Sequence, residues 1–536
     1  MILYGAAYYP EYWPETTQEL EAAMMAKCHF NAMRVGEFAW SKFEPRPGHF
    51  DFSWMDKALD RLAKHGIKAV MGTPTGGVPP WFTDKHKDSL ILKQENVTAG
   101  WGNRYFSCYN HKPFLEASRK VVTAQVRYFA KDERILGWHL HNELGNSPCF
   151  CERCRKGFQD WLKAKYGSVQ ELNRRWGTTF WSQVYNAWSE IPVPINTHHA
   201  SAPALELDWQ RYYSALVAGY AAEQAAIIRK HDRGKWISTN VNMGDVAMFP
   251  VLDRIGYNNY PHTWDDMDDL SNSYAQDAMR PPDKALNPIS FEQRGGQPGW
   301  DLVSRLNRPG ELRLLAWQAF AHGVDGMTYF LWRIARFGHE NLWGGILRHD
   351  GSFHPEVFPA VAQIGAELER IGPLLESSRA ESAVAILRSQ DSAWALKRQP
   401  QQERLSYDGQ LKEYYRAGVR FGTNLDVVQS STNFSGYRLL VMPMHYVVTE
   451  ALAARLKEFV SAGGVLVSGF RSAVVDDCVG MPEQEGPAWM QDLFGAKVEA
   501  YDVQEIERYR TRPGDAALSL RLEKALGGGK AAAHSW

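Results

Sequence analysis

Two acidic residues stand where short apolar runs give way to polar sequence. Residues 135–143 read ILGWHLHNE and end on Asn142-Glu143, with Gly145 just beyond; residues 287–293 read NPISFEQ and place Glu292 directly after Pro288–Phe291. Two carboxyl groups at the mouths of two strands suit hydrolysis of a glycosidic bond. One must be protonated to hand a proton to the leaving oxygen, and the other must be ionised to attack the sugar. Neither dipeptide is specific by itself, since a strand-end Glu is more commonly a solvated or ion-paired carboxylate.

A second group of chemistry-bearing residues follows within six positions of Glu143. It reads Cys149-x-Cys151-x-x-Cys154, and Cys108 lies forty-one residues before it. Four thiolates at about 2.3 Å close a tetrahedral zinc site, and the remote Cys108 would tie the loop after strand three to the loop after strand four. A metal with four protein ligands has no open place, so its role is structural. Disulfides are the alternative, but six cysteines in all are too few for a disulfide scaffold. Cys28 and Cys478 are solitary and read as small apolar side chains. His139, His141 and Glu143 alternate and so would share one face of an extended strand. That leaves open a rival reading, a catalytic-zinc hydrolase barrel, which needs a further ligand and an open coordination place. A barrel that merely binds sugar gives no reason for the two carboxylates.

These residues need elements to hold them. Short apolar runs recur at 2–9, 32–35, 67–75, 135–143, 236–242, 252–260, 288–293 and 327–333, separated by stretches long enough for helices. Eight strands alternating with helices over some 350 residues predict an α/β fold, a (β/α)8 TIM barrel whose chemistry sits at the C-terminal strand ends. An open doubly wound sheet would need a Gly-rich phosphate turn after its first strand, and Gly5–Tyr9 offers none. Capping boxes are expected at Thr16/Glu19 and Ser53/Asp56, the second helix burying Met55, Ala58, Leu59 and Leu62 and ending at Gly66. Beyond about residue 375 come strand-like runs at 383–387, 425–428, 439–442 and 465–468, with a helix at 450–460. This predicts a smaller α/β domain over 376–536 after a catalytic domain over 1–375, and a mobile Gly- and Ala-rich tail at 527–533.

The chain has 536 residues, 44% hydrophobic and 23% charged, with 60 Lys+Arg against 61 Asp+Glu. That composition excludes a disordered or collagen-like chain, and the net charge of −1 removes any electrostatic case for nucleic acid or an anionic membrane. The opening MILYGAAYYP lacks the basic region and cleavage site of a signal peptide, and no run of about 18 apolar residues occurs, so a cytoplasmic protein with no membrane partner is expected.

A series of motifs carries a resemblance. In order they are Tyr8-Tyr9-Pro10-Glu11-Tyr12-Trp13, Met33–Trp40 (MRVGEFAW) with Glu44-Pro45, Gly72-Thr73-Pro74-Thr75, and Gly137-Trp138-His139 leading to Asn142-Glu143. Asn259-Tyr260-Pro261, Glu292-Gln293 with Trp300, and Trp332-Arg333 followed by Phe337-Gly338 and Glu340 complete it. The chain resembles glycoside hydrolase family 42, the β-galactosidases. The resemblance implies a retaining exo-β-galactosidase acting on terminal β-D-galactosyl groups of lactose or galacto-oligosaccharides. Glu143 is then acid/base and Glu292 nucleophile, with carboxyl groups about 5 to 5.5 Å apart. It assigns Arg104, Asn142, Tyr260, Trp300, Phe330 and Glu340 to substrate binding, Asn142 through the sugar's 2-hydroxyl and Tyr260 beside the nucleophile. It also implies a structural zinc on Cys108, Cys149, Cys151 and Cys154, no organic cofactor, and a homotrimer built by the second domain, with the family's C-terminal β-domain lacking. Related retaining glycosidases, acting on α-L-arabinopyranosides, β-glucosides or β-fucosides, are the alternative. Two positions depart from the family. Trp343 stands where a His is common, so a donor to a sugar hydroxyl would be an indole N–H, and Leu144 stands where a Tyr is common.

Overall fold

The structure is a computed structural model that describes residues 2–501 except 197–200, 242–246, 262–268, 283, 285, 301, 377, 403–404 and 484–485. The expected Gly- and Ala-rich tail lies outside the described residues, as does Asn242. Among the described residues the chain divides into two compact units, one of residues 2–158, 193–196 and 211–380, the other of 159–192, 201–210 and 381–501.

The first unit is built on eight parallel strands: β1 (Leu3–Ala7), β2 (Ala32–Val35), β3 (Lys68–Gly72), β4 (Ile135–His139), β5 (Trp236–Ser238), β6 (Gly256–Asn259), β7 (Ile289–Arg294) and β8 (Gly326–Phe330). Their order is β5-β4-β3-β2-β1-β8-β7-β6, and a single parallel bridge between Asn240 and Gly256 spans the remaining seam between β5 and β6. The expected eight-stranded parallel barrel is thus present and nearly closed. All five residues of β1 and of β8 are buried, as strands covered on both faces require. Small residues make room where strands crowd: a Cβ on Gly137 of β4 would stand 2.3 Å from the Trp236 ring of β5. The core of this unit gathers Met33, Val35, Trp40, Met55, Leu59, Met71, Trp138, Ile237, Met327 and Trp332, all fully or almost fully buried.

The helix Ser53–Lys64 buries Met55, Ala58, Leu59 and Leu62 as its periodicity predicts. Its start is not the expected box. Phe52 is the N-cap, and Asp51, one residue outside, accepts from the Ser53 N–H and hydroxyl. The helix Glu15–Lys27 likewise begins one residue before Thr16, with Pro14 as N-cap and no side-chain cap. Acidic and hydroxyl residues cluster at a helix start either as caps or inside the first turn, and spacing alone does not separate the two.

The second unit carries β9 (Val384–Arg388), β10 (Leu425–Gln429), β11 (Leu439–Met442) and β12 (Val465–Ser468) in a parallel sheet ordered β10-β9-β11-β12. The helix Glu450–Ser461 is capped by the Thr449 hydroxyl, and its Leu452, Ala453 and Leu456 pack with Leu387, Leu440 and Met442. No helix of the described residues is long and apolar enough to cross a membrane.

Candidate active site

Sequence after β4 does not continue as a strand. His141, Glu143 and Gly145 all take left-handed backbone (φ 57°, 45° and 90°), so the chain coils outward at the barrel mouth. Such conformations cost on the order of 1–3 kcal/mol for a non-glycine residue and persist where surrounding bonds over-determine them. Here the Thr73 hydroxyl accepts from the His141 N–H at 2.6 Å, and the Asn240 side-chain oxygen accepts from the Glu143 N–H at 2.7 Å. The same coiling breaks the alternation on which the histidine-zinc reading depended. His139 and His141 are buried in the barrel, His141 with Nδ1 on the Thr75 hydroxyl at 2.7 Å, and with Glu143 they form no metal-ligand cluster among the described residues. Burial pushes both histidines below their ordinary titration range, His141 to about 3, which keeps them neutral.

Glu292 lies within β7 and is held from three sides. Its Oε1 accepts from Arg34 Nη2 at 3.0 Å and from Asn240 Nδ2 at 3.1 Å, and its Oε2 accepts from the Tyr260 hydroxyl at 2.7 Å. Arg34, wholly buried on β2, also meets Glu37 Oε1 through Nε at 3.1 Å, and the Tyr9 hydroxyl donates to that same Glu37 oxygen at 2.9 Å. Glu143 is held differently. Its Oε1 accepts from Asn258 Nδ2 at 2.7 Å and its Oε2 from the Tyr105 hydroxyl at 3.2 Å, while Arg104 Nη2 stands 3.5 Å from Oε2. Burial, and then the negative charge of Glu292, push the Glu143 carboxyl above the usual carboxylate range, against the pull of Arg104.

Glu143 and Glu292 open onto one cavity of about 360 Å3, which Asn103, Arg104, Tyr105, Asn146, Tyr260, Trp300, Phe330, Glu340 and Trp343 complete. Tyr260, Trp300 and Phe330 all pack around Trp343, at ring centroid distances of 5.3, 6.3 and 5.1 Å. That wall is fixed by close backbone approach: a Cβ on Gly344 would lie 2.4 Å from the Gln297 nitrogen. The Arg104 guanidinium lies over the rings of Tyr105 and Trp300. Its Nη1 is 4.0 Å from Glu340, whose carboxyl burial pushes up to about 7.

Two expected residues sit otherwise than their sequence context suggests. Asn142 is buried and both ends of its amide are engaged: Oδ1 accepts from Arg34 and Asn240 at 3.0 and 2.7 Å, and Nδ2 donates to the Tyr105 hydroxyl at 2.7 Å. The Trp343 indole nitrogen is buried without a hydrogen-bond partner, so the ring offers carbon to the cavity rather than the expected N–H. Residues that the sequence reading left without a role also belong to the network: Arg34, Glu37, Tyr9, Tyr105, Asn240 and Asn258. A signal was available for Arg34, a charge between Met33 and Val35 in an otherwise apolar strand, because a buried charge requires a partner. Asn240 offered less, one amide after Ser238-Thr239.

The four cysteines converge. Their sulfurs lie within 4.8 Å of one another, with Cys108 to Cys154 at 3.4 Å, Cys108 to Cys151 at 3.7 Å and Cys151 to Cys154 at 3.8 Å, all as free thiols. Three amide donors point at sulfur: Asn110 N to Cys108, Asn110 Nδ2 to Cys154, and Leu92 N to Cys149. The group can hold a metal ion.

A parallel barrel with two differently held carboxylates across one strand-end cavity defines a barrel glycosidase. The family model described as β-galactosidase matches residues 7–371, and that described as β-galactosidase trimerisation domain matches 382–522. β-Galactosidase BgaA of Clostridium cellulovorans is 32% identical over 510 residues, covering 93% of this chain and 77% of that protein; bgaB of Geobacillus kaustophilus is 33% identical over 511 residues, covering 93% and 75%. The crystal structure of β-galactosidase from Bacillus circulans sp. alkalophilus superposes with a TM-score of 0.90 at 27% identity, over 94% of this chain and 76% of that one. The chain belongs to glycoside hydrolase family 42, the β-galactosidases, which are retaining glycosidases.

Proposed function

We propose that the protein removes terminal β-D-galactosyl groups from lactose or galacto-oligosaccharides by double displacement, with Glu292 as nucleophile and Glu143 as acid/base. The observation that carries these roles is the unequal treatment of the two carboxyls. Glu292 receives a guanidinium, an amide and a phenol, which aim a charged oxygen and balance its charge. Burial and a neighbouring carboxylate favour a proton on Glu143. In the first step Glu292 attacks the anomeric carbon as Glu143 protonates the departing oxygen. In the second, Glu143 takes a proton from water and the glycosyl–Glu292 ester is hydrolysed. Asn142 reaches the sugar's 2-hydroxyl once it yields a bond to Tyr105 or Asn240. The aromatic wall of Trp300, Phe330 and Trp343 stacks on the apolar face of galactose, and Arg104 and Glu340 read its hydroxyls.

Glu292→Ala tests the assignment. Hydrolysis is expected to fall by a factor of about 10,000 or more, and azide to restore turnover with release of an α-galactosyl azide. Unchanged hydrolysis by Glu292→Ala would remove Glu292 as nucleophile.

The metal we assign to the four cysteines is zinc, in a structural role. A tetrahedron with Zn–S near 2.3 Å has edges of about 3.8 Å, and the three sulfur separations above bracket that length closely. Cys108, Cys149, Cys151 and Cys154 would join the loops after β3 and β4, which also carry Arg104 and Glu143. A homotrimer is supported by the match to the trimerisation domain, and a cytoplasmic location by free thiols suited to a reducing compartment.

A further inference from the structure

Two guanidinium groups face four carboxyl groups in this site. Arg34 is engaged twice, by Glu37 at 3.1 Å and by Glu292 at 3.0 Å. That leaves Arg104 as the cation between Glu143, at 3.5 Å, and Glu340, at 4.0 Å. A single positive charge does not offset two largely buried carboxylates, so an arrangement that keeps one proton on the pair is favoured.

We propose that Glu340 is a positioning residue for the catalytic proton: it shares the Arg104 charge with Glu143 and so weakens the cation's hold on the ionised Glu143 carboxyl, and the two acids titrate as one pair across Arg104. This rests on the reading of Glu143 as acid/base. The charged and titratable groups around the pair come from several elements, the Tyr260 phenol, which feels the Glu143 charge, among them. Glu143 meets Arg104, Tyr105, Asn258 and Glu292, with Arg34 farther off; Glu340 meets Arg104, Glu292, Glu143 and Arg34, and its charge is felt by the phenols of Tyr9 and Tyr12. Burial raises both carboxyls, in keeping with a shared proton.

The contribution is separable from sugar binding because it appears in a pH profile. The alkaline limb of kcat/KM reports the free enzyme's essential acid, and phenyl β-galactoside, whose leaving group needs protonation, makes that limb visible. Glu340→Gln removes a negative charge and leaves Arg104 wholly to Glu143, so the limb is expected to move to lower pH by roughly one unit or more. Arg104→Met takes the cation from Glu143 and is expected to move the limb the opposite way. A limb unmoved in Glu340→Gln, with only KM raised, would overturn the inference and leave Glu340 as a sugar-binding group. Shifts of the same sign in both variants would also overturn it. Glu143→Gln keeps the underlying reading distinguishable. The limb disappears there if Glu143 is the acid, and a limb that persists rejects that assignment itself.

Discussion

The loops after β3 and β4 carry two clusters within a few residues of each other, and they are built on opposite plans. The four thiols converge on one point, each within reach of the others, with backbone and amide N–H groups turned toward sulfur. The carboxylates instead border an open cavity, each held by a different set of donors, and their backbone is strained where Glu143 leaves the strand. The contrast is between groups turned toward one another, which can hold a metal ion, and groups turned toward a cavity, each oxygen fixed by its own donors.

The comparison breaks most readily at Arg34, which does not itself line the cavity but ties Glu37, Asn142 and Glu292 together. Arg34→Met would leave two buried carboxyls without their cation. The expected cost is about 3–5 kcal/mol of stability, read by denaturant unfolding, together with a large loss of kcat that Arg34→Lys restores only in part, since Lys cannot fork between the two. The thiol cluster should behave conversely. Metal analysis is expected to find one zinc per chain, and Cys151→Ser to lower the melting temperature by roughly 2–4 °C for each kcal/mol lost while leaving the shape of the pH–rate profile unchanged. A profile altered as much as the stability would mean that the cluster does more than brace.

The smallest expected effect concerns Glu11, beside the Tyr9 that supports Glu37. Both its carboxyl oxygens are buried without a partner, and burial pushes its pKa up to about 8. The folded state therefore holds a proton that the unfolded chain releases near 4.5, so this contribution to stability is full below that pH and is lost as pH rises toward 8. Glu11→Gln is expected to flatten the fall over that window, measured as unfolding free energy against pH.

Much of this was legible beforehand because burial and periodicity are local signals. All eight barrel strands and the four of the second sheet fall on the apolar runs, and the nine expected carboxyl, amide, aromatic and guanidinium site residues lie in or directly behind one cavity. Strand ends were less legible. The 135–143 run is extended only to His139, since the turn outward depends on Thr73 and Asn240, remote in sequence. For the same reason Asn240 and Asn258 escaped notice: an amide's role is set by what it bridges, and no spacing along the chain reveals that. The two expected capping boxes failed because identical residue types serve just outside the helix or within its first turn.

In the proposed double displacement Glu292 becomes covalently bound to sugar. A 2-deoxy-2-fluoro-β-galactoside with an activated leaving group, which slows hydrolysis of the glycosyl enzyme, should inactivate the protein with a mass increase of one fluorogalactosyl group per chain. Peptide mapping is expected to find that group on Glu292 in the NPISFEQ segment. A label on Glu143 or Glu340, or turnover of a natural galactoside with inversion at the anomeric carbon, would contradict the account.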